Sequence, residues 1–354
     1  MKNYILFFLC IFLLTCGRWK TSKLKSDILC TINPGDSPGN IMLKYDEDQI
    51  LNISFKVEVS NNNIYIADNI LKRLQVINKN CEPVLYIGEK KSTDSEKSGV
   101  RFSKFQFSII EAMVIDSAGN IYVQNSFSAT QRQNTQIQGK EVGISPSYIL
   151  VFDEKGTLLY TLGKTGTPDI PFSSIDSLKI DKKDRLLVIT KSYDMWSVFR
   201  FTNKRRDFTA NFSEADFKNG GDSSNIIKIE KIIAFQSGDE ILISVAYYNN
   251  TIFSRRKIFT YSVQKEKLAN TALTINDPKN EVFSIVDDSY IYLWDVSEKA
   301  VKFMINNLKG DTVNNVSISF PGTINSFNEI LIDYAGHFYS YHAVRKGIEV
   351  LEWR

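Results

Sequence analysis

The chain has 354 residues, of which 43% are hydrophobic and 12% aromatic, so it can bury a large core and is not disordered. Its 43 Lys and Arg residues nearly balance 40 Asp and Glu residues, and a net charge of +3 argues against nucleic acid as a partner. Abundant β-branched and aromatic residues, joined by polar turn formers, predict an all-β protein.

The amino terminus has the form of an export signal. Lys2 precedes the apolar run 4–14, and Thr15 and Cys16 follow it. The run is too short to cross a bilayer core, which needs about 20 apolar residues. We therefore expect residues 1–15 to be a signal peptide.

The sequence Leu-Leu-Thr-Cys, which ends at Cys16, resembles the lipobox of bacterial lipoproteins. The resemblance implies that the Cys16 thiol carries a diacylglycerol thioether and becomes the new amino terminus. Thr15 departs from the Gly, Ala or Ser of the strict motif, but looser lipoboxes of this kind are familiar in spirochaetes. We expect a lipid anchor in the cell envelope, at the outer membrane, with cleavage and release as the alternative.

Residues 16–27 follow as the lipidated cysteine and a polar tether that carries several basic side chains. We interpret this tether as a solvated linker, and contact with acidic headgroups is the alternative. Two cysteines then remain in the mature chain. Cys30 falls in a predicted strand and Cys81 in a predicted turn, and nothing local brings them together, so we expect no disulfide. A metal site made from these cysteines and the two histidines is also disfavoured.

A unit of four strands repeats six times along the chain. It is clearest in residues 112–163, where apolar strands alternate with tight turns rich in Gly, Asn and Asp. The predicted second strands are 64–68, 121–125, 186–190, 241–245, 291–295 and 337–342. The predicted third strands are 73–78, 148–153, 197–202, 257–262, 300–306 and 348–353.

The sixth repeat stops at Arg354 without its fourth strand, which would leave a sheet edge unpaired. Residues 28–32, followed by Asn-Pro-Gly, match the fourth strands at 84–88 and 158–163. The amino-terminal strand is therefore expected to complete the last blade. We predict that residues 28–354 form one six-bladed β-propeller rather than an open solenoid.

The segments 64–88 and 121–163 resemble the NHL-type six-bladed propeller, with an aspartate-containing turn, an Ile-Tyr-Ile/Val strand and an ending in which Val-Phe-Asp is followed by Gly-x-Leu-Leu and then by Ile-Gly or Leu-Gly. The resemblance covers most of the mature chain but is specific only in the first three blades. Among NHL-like proteins, the chain is similar in type to the propeller lipoproteins of spirochaetes. It implies a fold and a compartment and no chemistry, and we expect a monomer.

The connections of such a blade lie on two faces. Turns from first to second and from third to fourth strands form what we call the short-turn face, and the other connections form the long-loop face. The long connections are predicted at 89–105, 124–147, 164–174, 213–225 and 246–256. Long loops on a rigid scaffold usually form its binding surface, so we predict that a protein or glycan binds there. The candidate contact residues are Tyr193, Trp196, Tyr247, Tyr248, Arg255 and Arg345; the alternative is that they pack between blades.

No nucleophile-elbow motif accompanies His337 or His342, so a catalytic triad is disfavoured, and we expect no catalysis and no cofactor. The alternative is a metal-dependent lactonase or hydrolase, because propeller hydrolases that resemble this fold hold a cation in the central channel. Its candidate ligands are Asp68, Asn125 and Asp295, which end second strands. Side chains at such positions more often bind the backbone of turns.

Overall fold

A computed structural model of the protein describes residues 21–46, 49–52, 54–89, 99–126, 133–137, 140–144, 147–163, 172, 174–218, 226–297, 300–320, 329–333, 335–344 and 347–354. Before the first blade, the chain forms four strands: β1 (Ser22–Lys23), β2 (Ser26–Ile32), β3 (Lys44–Asp46) and β4 (Gln49–Asn52). β3 and β4 pair as a hairpin.

Six sheets, each built on four antiparallel strands, form the blades. Blade 1 contains β5 (Phe55–Ser60), β6 (Asn63–Asp68), β7 (Arg73–Asn78) and β8 (Pro83–Gly88), with β9 (Arg101–Lys104) parallel to β8. Blade 2 contains β10 (Ile109–Ile115) and β11 (Ile121–Ser126), then, after the hairpin of β12 (Gln133–Ile137) and β13 (Lys140–Ile144), β14 (Ser147–Phe152) and β15 (Leu158–Leu162). Blade 3 contains β16 (Ile175–Ile180), β17 (Leu186–Lys191), β18 (Met195–Thr202) and β19 (Arg205–Ser213), followed by a 3₁₀ helix (Glu214–Phe217).

The remaining blades repeat this order. Blade 4 contains β20 (Ile226–Ala234), β21 (Glu240–Asn249), β22 (Ile252–Ser262) and β23 (Lys267–Ile275). Blade 5 contains β24 (Glu281–Val286), β25 (Tyr290–Val296), β26 (Ala300–Asn307) and β27 (Thr312–Ser319). Blade 6 contains β28 (Glu329–Ile332), β29 (Phe338–Val344), β30 (Gly347–Trp353) and, as its fourth strand, β2.

The all-β, six-bladed propeller predicted from the repeats is confirmed. The second strands gave clear repeats because they are buried on both sides: residues 64–68 of β6 and 186–190 of β17 are all buried. A strand inside a blade packs against both neighbouring blades, so its sequence is a continuous run and not an alternation of apolar and polar residues. No helix in the described part of the chain is long and apolar enough to cross a membrane.

The amino-terminal strand closes the ring as predicted. β2 pairs antiparallel with β30, with Cys30 opposite Val350 and Ile32 opposite Ile348. The closing strand begins at Ser26, earlier than the predicted 28. Upstream of it, β1 pairs in parallel with β27 of blade 5, so the described part of the tether lies on the edge of a blade.

Six apolar clusters hold the ring together, one between each pair of consecutive blades. The cluster at the closure joins Ile32, Ile348 and Val350 of blade 6 to Phe55 and Val57 of blade 1. Burial of each such side chain contributes about 1.5–3 kcal/mol. The interface between blades 6 and 1, where the ring closes, is therefore packed like the interfaces between the other blades.

The expectation that Cys30 and Cys81 form no disulfide was wrong. The two residues are joined, with their Cα atoms 5.6 Å apart. Cys30 lies in β2, and Cys81 lies in the turn between β7 and β8. Closure of the ring places the last strand of blade 6 beside the outer hairpin of blade 1, and this contact is invisible to an argument from local sequence.

The prediction of a long loop at 246–256 was also wrong. β21 continues to Asn249 and β22 begins at Ile252, so two residues form the turn. Asn250 adopts a left-handed conformation at φ 58°, which asparagine tolerates in tight hairpins. The apolar pattern of both strands continues almost to this turn.

Candidate functional site

The long-loop face of blades 3 to 5 presents exposed apolar side chains. Tyr193, between β17 and β18, is 94% exposed, and Ile252, at the start of β22, is 74% exposed. Together with their neighbours on this face they form what we call the apolar patch: Tyr193, Met195, Ile226, Ile252 and Val296. Apolar side chains gathered on one face of a folded protein indicate a contact surface.

Tight turns place two of these side chains at hairpin tips. The N–H and the hydroxyl of Ser192 both donate to the carbonyl of Met195, over 2.8 and 3.0 Å, so that Tyr193 projects from the tip. In blade 4, Asn249 pairs with Ile252 across the two-residue turn. The exposure of both side chains therefore follows from turn geometry.

Tyr248, one of the predicted contact residues, lies beside the apolar patch. It lies opposite Ile226 in the pairing of β20 with β21. Its half-buried ring meets the ring of Phe253 edge to face, with centroids 5.8 Å apart. Burial raises the pKa of the Tyr248 hydroxyl.

Trp196 and Tyr247 were predicted to contact a ligand, and the structure contradicts this. Trp196 is 5% exposed and Tyr247 is fully buried, because both pack in the cluster between blades 3 and 4. The Tyr247 hydroxyl donates to the carbonyl of Phe217 over 3.0 Å. Alternation in β21 explains this burial, since Tyr247 lies on the same side of the strand as Val245 and Ile243.

The two predicted arginines are not shown to bind a ligand. The Arg255 guanidinium lies over the Tyr247 ring, 5.4 Å from its centroid, and is half-buried there. This cation–π contact is one that arginine makes in folded interiors. Arg345 lies outside the described residues.

Two of the three predicted metal ligands are bound within the protein. Asp68 Oδ1 accepts the N–H groups of Ile70 and Leu71, both over 3.1 Å, and Oδ2 accepts that of Met42 over 3.0 Å. Arg73 Nε lies 3.5 Å from the same Oδ2 atom. Asp68 therefore fastens the end of β6 to the surrounding chain, and its oxygens are already occupied.

Asn125 plays a similar part in blade 2. Its Oδ1 accepts the N–H of Ser108 over 3.0 Å, and its Nδ2 donates to the Tyr148 hydroxyl over 2.6 Å. Asp295, at the equivalent place in blade 5, is half-buried. Among the described residues, no three His, Cys, Asp or Glu side chains converge as metal ligands would.

The first strands line a central channel of about 1080 Å³. Glu58 and Lys179 face it at equivalent levels, opposite Tyr65 and Leu187 of their second strands. Burial raises the pKa of Glu58 to about 8, and it lowers the pKa of Lys179 to about 8. The channel wall thus disfavours charge on both groups.

Nearer the long-loop end of the channel, Lys231 donates to the carbonyl of Phe283 over 2.7 Å and so links blades 4 and 5. Burial lowers the pKa of Lys231, and the charges of Asp176 and Glu281 act in the opposite direction. Lys56 and Glu329 form an ion pair of 3.2 Å between blades 1 and 6. These charged groups serve contacts between blades.

Sequence reasoning missed four members of the apolar patch: Met195, Ile226, Ile252 and Val296. It searched the long connections for aromatic and arginine side chains, which dominate known binding interfaces. The available signal was an apolar residue directly beside a turn, as Ile252 stands beside Asn250 and Thr251. An apolar side chain at a hairpin tip has no blade to pack against.

No protein-family model matches the chain, and no curated protein matches it in sequence. Among solved structures, the chain is similar to the β-propeller domain of Nup133 from Vanderwaltozyma polyspora, at 12% identity and a TM-score of 0.41, over 84% of this chain and 93% of that chain. It is similar to a protein of unknown function from Bacteroides caccae, at 10% identity and a TM-score of 0.37, over 77% and 90% of the two chains. A protein from Lactobacillus plantarum is similar at 9% identity and a TM-score of 0.41, over 76% and 72%. At these values the likeness carries no function to this chain.

Proposed function

We propose that the protein is a lipid-anchored scaffold of the bacterial cell envelope that binds a partner protein through the apolar patch and catalyses no reaction. The observation that carries the proposal is the concentration of exposed apolar side chains on one face of three consecutive blades. Among the residues that the structure describes, five further exposed apolar side chains are spread over blades 2, 5 and 6: Ile28, Leu158, Leu159, Tyr290 and Val313. Desolvation of apolar side chains is a main source of binding energy in protein interfaces.

A protein partner fits this surface better than a glycan does. Four of the five patch residues are aliphatic or thioether side chains, which offer neither a flat ring for a sugar to stack on nor a hydrogen bond. Tyr193 is the only aromatic member. Apolar area with an aromatic anchor is typical of protein interfaces.

The anchor in this proposal is the lipid on Cys16, at the outer membrane, in a propeller of the NHL-like type seen among spirochaete lipoproteins. The lipobox-like tetrad supports the anchor. The Cys30–Cys81 disulfide supports export, because disulfides form and persist in oxidising compartments outside the cytosol. Labelling of the wild-type protein with radioactive palmitate in the producing cell, and loss of label and of membrane attachment in Cys16→Ser, are the expected results.

The partner contact is tested by photo-crosslinking in the producing cell. A benzophenone amino acid replaces Tyr193 or Ile252 in the full chain, and the matched control replaces Tyr290, an exposed tyrosine on the short-turn face. We expect the same protein adduct from positions 193 and 252 and none from 290. The substitution Ile252→Asp should abolish the adduct formed from position 193.

Equal adducts from all three positions, or none from the patch positions, would overturn the proposal. A glycan partner would appear as an adduct that survives protease treatment. The crosslinks report only on the patch, and the palmitate label reports only on the anchor, so either half of the proposal can fail without the other.

A further inference from the structure

The outer turns of the short-turn face differ in charge around the ring. In blades 1 and 2, the turns between third and fourth strands carry Lys79 with Glu82, and Lys155 with Asp153 and Glu154, so neither turn has a net positive charge. The same turn of blade 5 carries Lys309 with Asp311 and is neutral. Blades 3 and 4 and the entry segment instead present a set of exposed cations. We call this set the basic arc: Lys25, Lys204, Arg205, Arg206, Lys265 and Lys267.

Two acidic side chains lie in or directly beside the turns of blades 3 and 4. Asp207 accepts Arg200 over 2.9 Å and Thr202 over 2.6 Å. Glu266 is the other, and it leaves the turn of blade 4 with one net positive charge. Within the described part of the chain, no cation of the basic arc forms an ion pair, so the arc keeps its positive charge toward solvent.

The chain also enters the fold beside this arc. β1 runs parallel to β27, with Ser22 opposite Val316 and Lys23 opposite Ser317. The described chain therefore begins at the outer edge of blade 5. Ser22 follows Cys16 by six positions, and even a fully extended chain of that length spans only about 20 Å.

We propose that the basic arc rests on a bilayer surface that contains anionic lipid headgroups, with the short-turn face toward the membrane and the apolar patch away from it. The proposal takes its anchor from the proposed function. A lipid on Cys16 holds the bilayer within reach of the arc, and each basic residue near an anionic surface adds to the attraction.

The orientation is tested with the full-length lipoprotein reconstituted in vesicles of phosphatidylcholine and phosphatidylglycerol in equal parts. A fluorophore is attached to a single cysteine introduced by Gln264→Cys or Thr251→Cys, which lie at opposite ends of blade 4. Cys30 and Cys81 are in a disulfide, so the introduced thiol is the reactive one. We expect energy transfer to an acceptor lipid to be stronger from position 264 than from 251. Equal transfer, or stronger transfer from 251, overturns the proposal.

The part played by charge is tested by two matched double variants. Lys265→Gln/Lys267→Gln removes two cations from the basic arc, and Lys79→Gln/Lys155→Gln removes two from the equivalent turns of blades 1 and 2. We expect the first variant to lower transfer at 264 to the value found on phosphatidylcholine vesicles, and the second to leave it unchanged. Identical behaviour of the two variants contradicts the proposal.

Failure of the anchor is recognised separately. A protein without lipid would not stay on vesicles of phosphatidylcholine alone, and the proposed anchor would then be wrong. The basic arc would still be expected to bring that protein onto vesicles with phosphatidylglycerol, with about tenfold or greater loss of partitioning in Lys265→Gln/Lys267→Gln. If the unlipidated protein did not bind these vesicles at low salt, the proposed role of the basic arc would be wrong.

Discussion

Cys30 of the closing strand and Cys81 of the outer hairpin of blade 1 are joined across the seam of the ring, although 51 residues separate them in sequence. The seam is the one place where two ends of the chain form a single blade, since β2 completes the sheet of β28, β29 and β30. Strands from chain ends fray more readily than strands held by turns at both ends. The disulfide fixes the seam by a covalent bond.

Removal of this disulfide should destabilise the protein strongly. A loop of this length gives about 4 kcal/mol in the chain-entropy account of disulfide stabilisation. Cys30→Ser/Cys81→Ser should therefore unfold at a clearly lower urea concentration than the wild type, measured by fluorescence. Wild-type protein treated with a reductant should match the variant. Equal midpoints for oxidised and reduced wild type would show that the disulfide does not hold the fold.

Loss of Asp68 should destabilise the fold with or without metal. Asp68→Ala leaves the Arg73 guanidinium buried without its carboxylate, which costs about 3–5 kcal/mol. The matched control is Asp207→Ala, which breaks the more exposed pair with Arg200 and should cost about 0–1 kcal/mol. Urea unfolding with and without a chelator measures both. If a chelator lowered the stability of the wild type, the hypothesis that Asp68 is a metal ligand would be supported again.

Glu58 should make stability fall as pH rises. Its folded pKa, about 8, lies above the ordinary value of 4.5, so the folded state binds the proton more tightly than the unfolded state does. The stabilisation is complete below pH 4.5 and is lost as pH rises to about 8. Glu58→Gln should lose less stability than wild type across this window, measured by urea unfolding at several pH values.

Lys179→Met is the control for this experiment. Burial lowers the pKa of Lys179 from 10.5 to about 8, so its stability effect belongs to higher pH and has the opposite sign. The Lys179 variant should keep the wild-type pH dependence between 4.5 and about 8. A Glu58 variant with an unchanged profile would mean that the channel wall does not disfavour the Glu58 carboxylate.

Substitutions of Trp196 and Tyr193 should have different effects, the first on the stability of the fold and the second on partner binding. Trp196→Ala removes a large side chain from the core between blades 3 and 4 and should cost about 3–5 kcal/mol. Tyr193→Ala changes a fully solvated side chain and should alter stability by less than about 0.5 kcal/mol. Urea unfolding measures both effects. Only Tyr193→Ala should reduce the partner crosslink from position 252 while the fold remains intact.

The architecture was readable from sequence because each blade repeats the same buried run. Residues 64–68 and 121–125 look alike since the same environment, a neighbouring blade on either side, selects them. Ring closure by 28–32 was readable for a related reason: an unpaired third strand at the end of the chain needs a partner. Both arguments depend on local pattern and on the saturation of backbone hydrogen bonds.

The contact surface was not readable in the same way. The side of the strand on which an aromatic residue lies decides its burial, so Tyr247 is in the core and the adjacent Tyr248 borders the patch. Applying strand alternation beyond residue 245 would have separated the two. The Cys30–Cys81 pair also followed from the predicted closure, once the closing strand is placed beside the first blade. Both the burial of Tyr247 and the Cys30–Cys81 pair could therefore have been predicted from the propeller topology.

The order in which the strands are synthesised gives the closing strand β2 a further role. Cys30 and Cys81 both lie in the first quarter of the chain, whereas β30, the hydrogen-bonding partner of β2, is the last strand to appear. A chain synthesised from its amino terminus can therefore form the disulfide before blade 6 exists. The bond then holds β2 against blade 1 with an unpaired edge, and β30 pairs with this edge once it has been synthesised.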